Sequence, residues 1–354
     1  MKQIYLGSDI MTTTPDIMWQ AMKYANLSPV KEGGERNIEK LRQRIYELTG
    51  YEDIALVPTC SIANLSALMS YGTPGDQIVA DSLTHFLWYE GNGVAAIAGK
   101  RVRLIDTQDG ILSANEVEQA IRYSVCHQDC RTAAVFLENT HTIGGGRAYP
   151  IQRLEEIAEV AARYKAGIHM DGARIFNAVV SANTTLRDIA KYVDSLSLNL
   201  NKVLGVPFGA LLCGSASFMQ EAKKHIKTIG GHSMHKAGML AAAALTRLDE
   251  ESYPVFLQSL SDLHQRTYAF AARLAQIPGI TVDLEKVESN LFFINVAKLL
   301  VDSDEFLEEM RESGVIGSYR DSERIRFVVS TDRTESELEE AADTIEQLAK
   351  RHNM

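Results

Sequence analysis

Apolar residues at Ile38, Leu41, Ile45 and Leu48 recur at three- and four-residue spacing, and Gly50 closes the run, so a helix is predicted over 37–50. Ahead of it, the first twenty residues read as an extended arm and a short helix starting near Thr13–Asp16. Short apolar runs then alternate with helical spacing. DIALVP follows Gly50, and a helix is predicted from Ser61; QIVA at 77–80 comes next, with a helix after His85. RVRLI at 101–105, a helix over 115–123, TAAVFLE at 132–138 and a helix over 153–164 continue the pattern. AGIHM at 166–170, SLSLN at 195–199 and FGALLCG at 208–214 are further strands. Strands separated by helices of this length predict an α/β fold with a mostly parallel sheet covered by helices.

The texture changes near residue 248. An apolar helix over 237–248 leads into a longer helical region, then strand-like ITVDL, NLFFINV and RIRFVVS with helical DEFLEEMRESG and TESELEEAADTIEQLAK. The expected division is an arm at 1–21, a large domain at 22–248 and a smaller α/β domain at 249–354. There is no internal repeat and no low-complexity segment.

Composition narrows the class. The chain has 354 residues, 45% hydrophobic and 23% charged, as expected of a folded protein of more than one core. A net charge of −10 and the lack of a basic run argue against a nucleic-acid partner. No run reaches membrane-spanning length, and the first residues lack a secretory apolar core. Cysteines at 60, 126, 130 and 213 make no disulfide framework, so a cytoplasmic location is expected.

Chemistry concentrates in HMDGARIFN at 169–177 and in Lys202 of SLNLNKVLGVPFG. Asp171 leaves the carboxyl end of a buried strand, where open α/β sheets bind ligands. Lys202 suits a Schiff base with a cofactor aldehyde. A surface turn with an isolated lysine is the other reading of these residues. PTCSIAN at 58–64 follows a strand and opens a helix, so it is either a phosphate cradle or an ordinary cap at Ser61. His85 and His141 both follow strand ends; an imidazole at the first can stack on a planar cofactor, and one at the second can reach a substrate hydroxyl. His127 between Cys126 and Cys130 lacks the rest of a tetrahedral set, so no metal is expected. His232 and His235 read as a pair or as a glycine-led loop. GGGR at 144–147 and GGER at 33–36 lack the context of a dinucleotide or P-loop motif.

Together these runs resemble the threonine aldolase family, pyridoxal phosphate (PLP) enzymes of the aspartate aminotransferase fold type, grouped with aromatic β-eliminating lyases. The likeness rests on SD at 8–9, ELTG, P-x-x-S-x-AN at 58–64, TH with a following Glu at 84–90, LENTH at 137–141 and GGR before Pro150. HMDGARIFNAVV, NKVLGVPFGALLCG, AG at 237–238 and RIRFVVSTD complete it, in order over nearly the whole length. The resemblance implies that Lys202 holds the cofactor aldehyde and Asp171 its ring nitrogen. It also implies that His85 stacks on the ring, that Cys60 and Ser61 bind the phosphate, and that His141 lies beside the substrate β-hydroxyl. Ser8, Arg174 and Arg326 become the carboxylate clamp, and the expected assembly is a dimer or dimer of dimers with sites between subunits.

The expected reaction is cleavage of the Cα–Cβ bond of a β-hydroxy-α-amino acid; a β-eliminating lyase or racemase is the alternative, and a non-catalytic binding protein a further one. Departures surround this set. Gly7 stands where the family has arginine, Glu32-Gly33 where it has tyrosine-glycine, and Asn201 and Val203 flank the lysine in place of serine and glycine. His235 replaces an arginine that approaches a neighbouring subunit's phosphate, and Ser330 replaces a histidine. The residues that carry the cofactor chemistry are kept, so PLP binding is still expected and the changes open the choice of substrate side chain.

Overall fold

A computed structural model describes residues 3–25, 36–126, 130–232 and 234–352, with backbone alone at 125–126. Glu32, Gly33 and His127 lie outside the described residues. In chain order the strands are β1 (Ile4–Tyr5), β2 (Asp53–Val57), β3 (Gln77–Asp81), β4 (Arg101–Ile105), β5 (Thr132–Glu138) and β6 (Gly167–Gly172). They continue as β7 (Ser195–Asn199), β8 (Ala210–Gly214), β9 (Leu291–Asn295), β10 (Val315–Ile316), β11 (Ser318–Tyr319) and β12 (Arg324–Val328). A seven-stranded sheet has the order β2-β8-β7-β6-β5-β3-β4, and only β8 runs against its neighbours. Every residue of β3, β5 and β8 is buried, whereas RVRLI of β4 is largely exposed. The first three are therefore covered on both faces, and β4 is one edge, with β2 at the other.

The helices lay apolar stripes on this sheet. Ile151–Arg163 buries Leu154, Ile157, Val160 and Ala161, and Arg36–Thr49 buries Leu41, Ile45 and Thr49. A second sheet, β11-β12-β9, is antiparallel throughout and packs with helices Ser252–Leu274 and Ser303–Glu312. The fold is thus α/β, a mostly parallel large sheet with a smaller carboxyl-terminal α/β layer, as the periodicity predicts.

Three local expectations differ from the structure. The helix expected from Ser61 starts at Cys60, and its cap is Thr59, whose Oγ1 accepts from the Ile62 N–H at 3.2 Å. The helix expected after His85 begins at His85 itself, because Glu138 of β5 accepts the His85 backbone N–H at 2.9 Å. ITVDL makes a single bridge, Thr281 to Asn295, before the chain turns into a 3-10 segment at Leu284–Lys286. The arm is also anchored in a way the pattern did not foretell, since β1 pairs in parallel with β10.

Behind β12, the rings of Phe270, Phe292 and Phe327 meet with centroids 5.7–5.8 Å apart, and Phe327 is fully buried. Emptying that position leaves a cavity under the strand that carries Arg326. Phe327→Ala is expected to cost about 3–5 kcal/mol of stability in denaturant unfolding.

Candidate active site

Parallel strands deliver their carboxyl ends to one edge of the sheet, and three of them carry an acid there: Asp81 ends β3, Glu138 ends β5, and Asp171 is the last residue but one of β6. Glu138 and Asp171 are register partners, and all three are at most 3% exposed. Carboxylates so placed need donors or cations nearby. Glu138 accepts backbone N–H groups from His85 (2.9 Å) and Thr142 (2.8 Å), and the His141 Nε2 lies 3.8 Å away. Burial pushes the Glu138 carboxyl up, but His141, His85 and the Thr142 donors outweigh it and hold it at about 2.

Asp171 is fed by a chain of donors. Its Oδ2 accepts from Asn64 Nδ2 at 2.8 Å, and its Oδ1 from the Ala173 N–H at 2.9 Å and Ser197 Oγ at 3.4 Å. Because the Asn64 amide donates here, its Oδ1 must accept, and His169 Nε2 stands 3.1 Å from it. The proton of His169 therefore sits on Nε2, and Nδ1 accepts from Ser195 Oγ at 2.7 Å. Tyr71 Oη, 2.8 Å from Ser195 Oγ, stands behind it. Burial holds His169 at about 3, so this relay is neutral. Even so, burial and the neighbouring Glu138 and Glu90 raise the Asp171 carboxyl, against the pull of His85 and Lys202.

Above this floor lies a cleft of about 170 Å3 lined by Ser8, Ile10, His85, Tyr89, Thr142, Arg174, Lys202 and Arg326. A larger groove of about 800 Å3, with Asp262, Arg266, Glu335 and Glu339, runs elsewhere, between the helices Ser252–Leu274 and Glu335–His352. Lys202 follows β7 in a tight turn where Asn199 Oδ1 accepts its backbone N–H. Burial lowers its amine pKa, and the Arg174 guanidinium lowers it further, while Asp9, Cys60 and Asp171 oppose. Arg174 forms a buried two-pronged pair with Asp9, both bonds 2.8 Å, and donates to Thr142 Oγ1 at 2.8 Å. Three of its five donors are thereby used. Arg326 donates to the Gly7 carbonyl at 3.1 Å, and its Nε is buried with no partner.

His85 stacks on Tyr89 with centroids 5.1 Å apart, and its Nδ1 lies 2.9 Å from Glu90 Oε1. Burial lowers the imidazole, but the Glu90 bond and the charges of Glu138 and Asp171 outweigh it and raise its pKa. The ligand atoms of His85, Glu90 and Asp171 lie within 4.8 Å of one another. Hydrogen bonds from Asn64 and His85 to Glu90 account for that closeness.

The other expected site residues fall as follows. His141 is buried behind the cleft wall; its Nδ1 accepts from Gly144 N–H at 3.0 Å, so Nε2 carries the proton and points toward Asp81 (3.5 Å) and Glu138. Cys60 opens the helix Cys60–Ser70, and burial, with the Asp171 charge, pushes its thiol up to about 12. Ser61 lies one residue on, half-buried. Ser8 is half-buried and caps a short 3-10 turn, and His235 is exposed. Gly7 is closely packed, since a Cβ there would meet Ser318 Oγ at 3.0 Å and the Gly317 carbonyl at 3.2 Å. Ser330 is buried and donates to Asp332, and Val203 is buried beside the lysine.

Asn64, Glu90, Asp9 and His169 were not given roles from sequence. Each nonetheless lay inside a motif already noted, as the Asn of P-x-x-S-x-AN, the Glu after TH, the Asp of SD and the first residue of HMDGAR.

A half-buried lysine with a lowered amine pKa, above a buried carboxylate at the carboxyl ends of a mostly parallel sheet, defines a PLP enzyme of fold type I. The chain belongs to the beta-eliminating lyase family, whose sequence model matches residues 6–297. It is 30% identical over 344 residues to low-specificity L-threonine aldolase 1 of Arabidopsis thaliana, covering 96% of this chain and 94% of that one. It is 31% identical over 296 residues to the low specificity L-threonine aldolase of Escherichia coli K12, covering 83% and 85%. Its fold matches a Leishmania major threonine aldolase structure with a TM-score of 0.83 at 20% identity, over 98% and 99% of the two chains.

The residues present fit the cofactor. Asp171, whose charge burial disfavours, gains from a protonated ring nitrogen, and the helix opening at Cys60 offers free N–H groups to a phosphate.

The low folded-state value of Glu138 has a consequence for acid stability. It lies below the ordinary 4.5, so its contribution is complete above that value and is lost as pH falls toward 2. Glu138→Gln is expected to flatten the stability curve between about pH 4.5 and 2, measured by denaturant unfolding at a series of pH values.

Proposed function

We propose that the protein cleaves the Cα–Cβ bond of a β-hydroxy-α-amino acid to give glycine and an aldehyde. The observation that carries this is the single cleft joining Lys202 and His85 to Ser8, Arg174 and Arg326 above Asp171. When bound, PLP supplies an electron sink for the pair released at Cα. In this reading Lys202 holds the cofactor aldehyde and moves the proton at Cα, helped by an amine that sheds its charge readily. Asp171 keeps the ring nitrogen protonated, and the donor relay through Asn64 keeps Asp171 ionised. His85 covers the ring face, and the first N–H groups of the helix at Cys60 and Ser61 take the phosphate.

The substrate carboxylate goes to Arg326, Ser8 and the two free donors of Arg174, which fixes rotation about Cα–N and so selects the bond that breaks. His85 assists loss of the β-hydroxyl proton; His141, behind the wall, reaches that hydroxyl only through Glu138 or water.

The assembly in this reading is a dimer or dimer of dimers, with His235 reaching a neighbouring subunit's phosphate. Exposed Ile10, Tyr89, Trp88 and Phe208 support an interface there, two of them on the cleft wall. The working units are 1–21, 22–248 and 249–354. Among the described residues no helix is long and apolar enough to cross a membrane, and we place the enzyme in the cytoplasm.

Borohydride reduction of the holoenzyme and peptide mapping should label Lys202, and Lys202→Ala should abolish turnover with the fold intact by circular dichroism; a label on another lysine defeats the assignment. Incubation with each threonine diastereomer should release glycine and acetaldehyde in equal amounts. Deamination or racemisation without glycine from any β-hydroxy-amino acid would replace this reading with the β-lyase or racemase one.

A further inference from the structure

The small sheet turns one face toward the cleft, and that face carries more positive charge than the substrate carboxylate requires. Ile325 and Phe327 of β12 are fully buried in the aromatic core, so Arg324 and Arg326 occupy the opposite face. Across the hairpin Ser318 pairs with Arg326, and two residues on the Arg320 N–H donates to the Arg324 carbonyl at 3.1 Å. Ser318 and Arg320 therefore share that face. It closes on the cleft, because Arg326 lines the cavity and Ser318 Oγ donates to the Gly7 carbonyl at 2.8 Å.

The three guanidiniums of this face are not equivalent. Arg324 is held by Asp321, with bonds of 2.8 and 2.6 Å, and lies 5.6 Å from the Phe293 ring centroid. Arg326 is the group that meets the α-carboxylate. Arg320 is half-buried, its Nε is shielded from solvent with no hydrogen-bond partner, and among the described residues no carboxylate pairs with it. Arg320 stands diagonally beside Arg326 across the hairpin, on the face whose Arg326 lines the cleft. The charge of Asp321 reaches Arg320, but that acid is bonded to Arg324, so the partly desolvated Arg320 guanidinium still gains from a ligand carboxylate, which its planar fork matches.

We propose that Arg320 is a specificity-determining residue that receives a second carboxylate, at the far end of the substrate side chain. The inference rests on the aldolase reading and names its substrate class: β-hydroxy-α-amino acids bearing a distal carboxylate. Arg174 is unavailable for this role because three of its donors are taken by Asp9 and Thr142 and the other two serve the α-carboxylate.

The test compares holoenzyme and its Arg320→Gln variant on β-hydroxyglutamate and on β-hydroxynorvaline, a neutral analogue of similar length. The parent should favour β-hydroxyglutamate about tenfold in kcat/KM, and Arg320→Gln should remove that preference through KM while changing β-hydroxynorvaline less than about twofold. Arg320→Lys should fall between them. Equal loss on both substrates, or no preference in the parent, overturns the assignment while leaving the aldolase reading intact. A calorimetric titration separates the two ideas if neither compound yields glycine. Glutarate should bind the parent holoenzyme about tenfold more tightly than butyrate, and Arg320→Gln should lose that difference. Unchanged glutarate binding overturns the role of Arg320 whatever the reaction is.

Discussion

A pair of carboxylates buried side by side in a dry interior is the constraint on which this molecule depends. Asp171 sits at the end of a central strand beside Glu138, where neither acid has much solvent to disperse its charge. The polar groups around them answer that demand. Asn64, the Ala173 N–H and Ser197 donate to Asp171, while His85 and His141 stand on the side of Glu138. The neutral relay from Tyr71 through Ser195 and His169 has a narrower task. It fixes which way the Asn64 amide faces, and a flipped amide would present oxygen to oxygen at Asp171.

A second buried pair ties the arm to this centre. Asp9 comes from the amino-terminal arm and Arg174 from the turn after β6, and their bidentate bond is shut away from water. Burial raises the Asp9 carboxyl, but Arg174 outweighs it and holds its pKa down. Asn290 also approaches Asp9 (3.5 Å) and in turn accepts from Asn177, whose side-chain oxygen meets His264 of the long helix Ser252–Leu274. One polar thread therefore runs from the arm through the large sheet's loops to the small layer. Since Arg326 also leans on the Gly7 carbonyl, this wall of the cleft is assembled from three distant stretches of chain. Displacing the arm would loosen both arginines together.

Much of this was legible from residue order alone. Alternating short apolar runs and helical stripes determined the covered, mostly parallel sheet, because strand and helix periods are local properties of the chain. HMDGARIFN and the lysine loop singled out Asp171, Arg174 and Lys202, and the fold gathers them at one edge of the sheet, Arg174 and Lys202 on the cleft wall. What residue order did not determine was pairing. Whether Arg174 is free or tied to Asp9, whether His141 opens onto the cleft or faces Asp81 and Glu138, and whether Cys60 or Ser61 starts the helix all depend on residues far away in sequence. Among the described residues, the unbonded Nε of Arg320 likewise follows from hairpin register and from the commitment of Asp321 to Arg324. Periodicity and motif are written along the chain, but charge compensation is settled only when the folded chain excludes water and brings distant partners together.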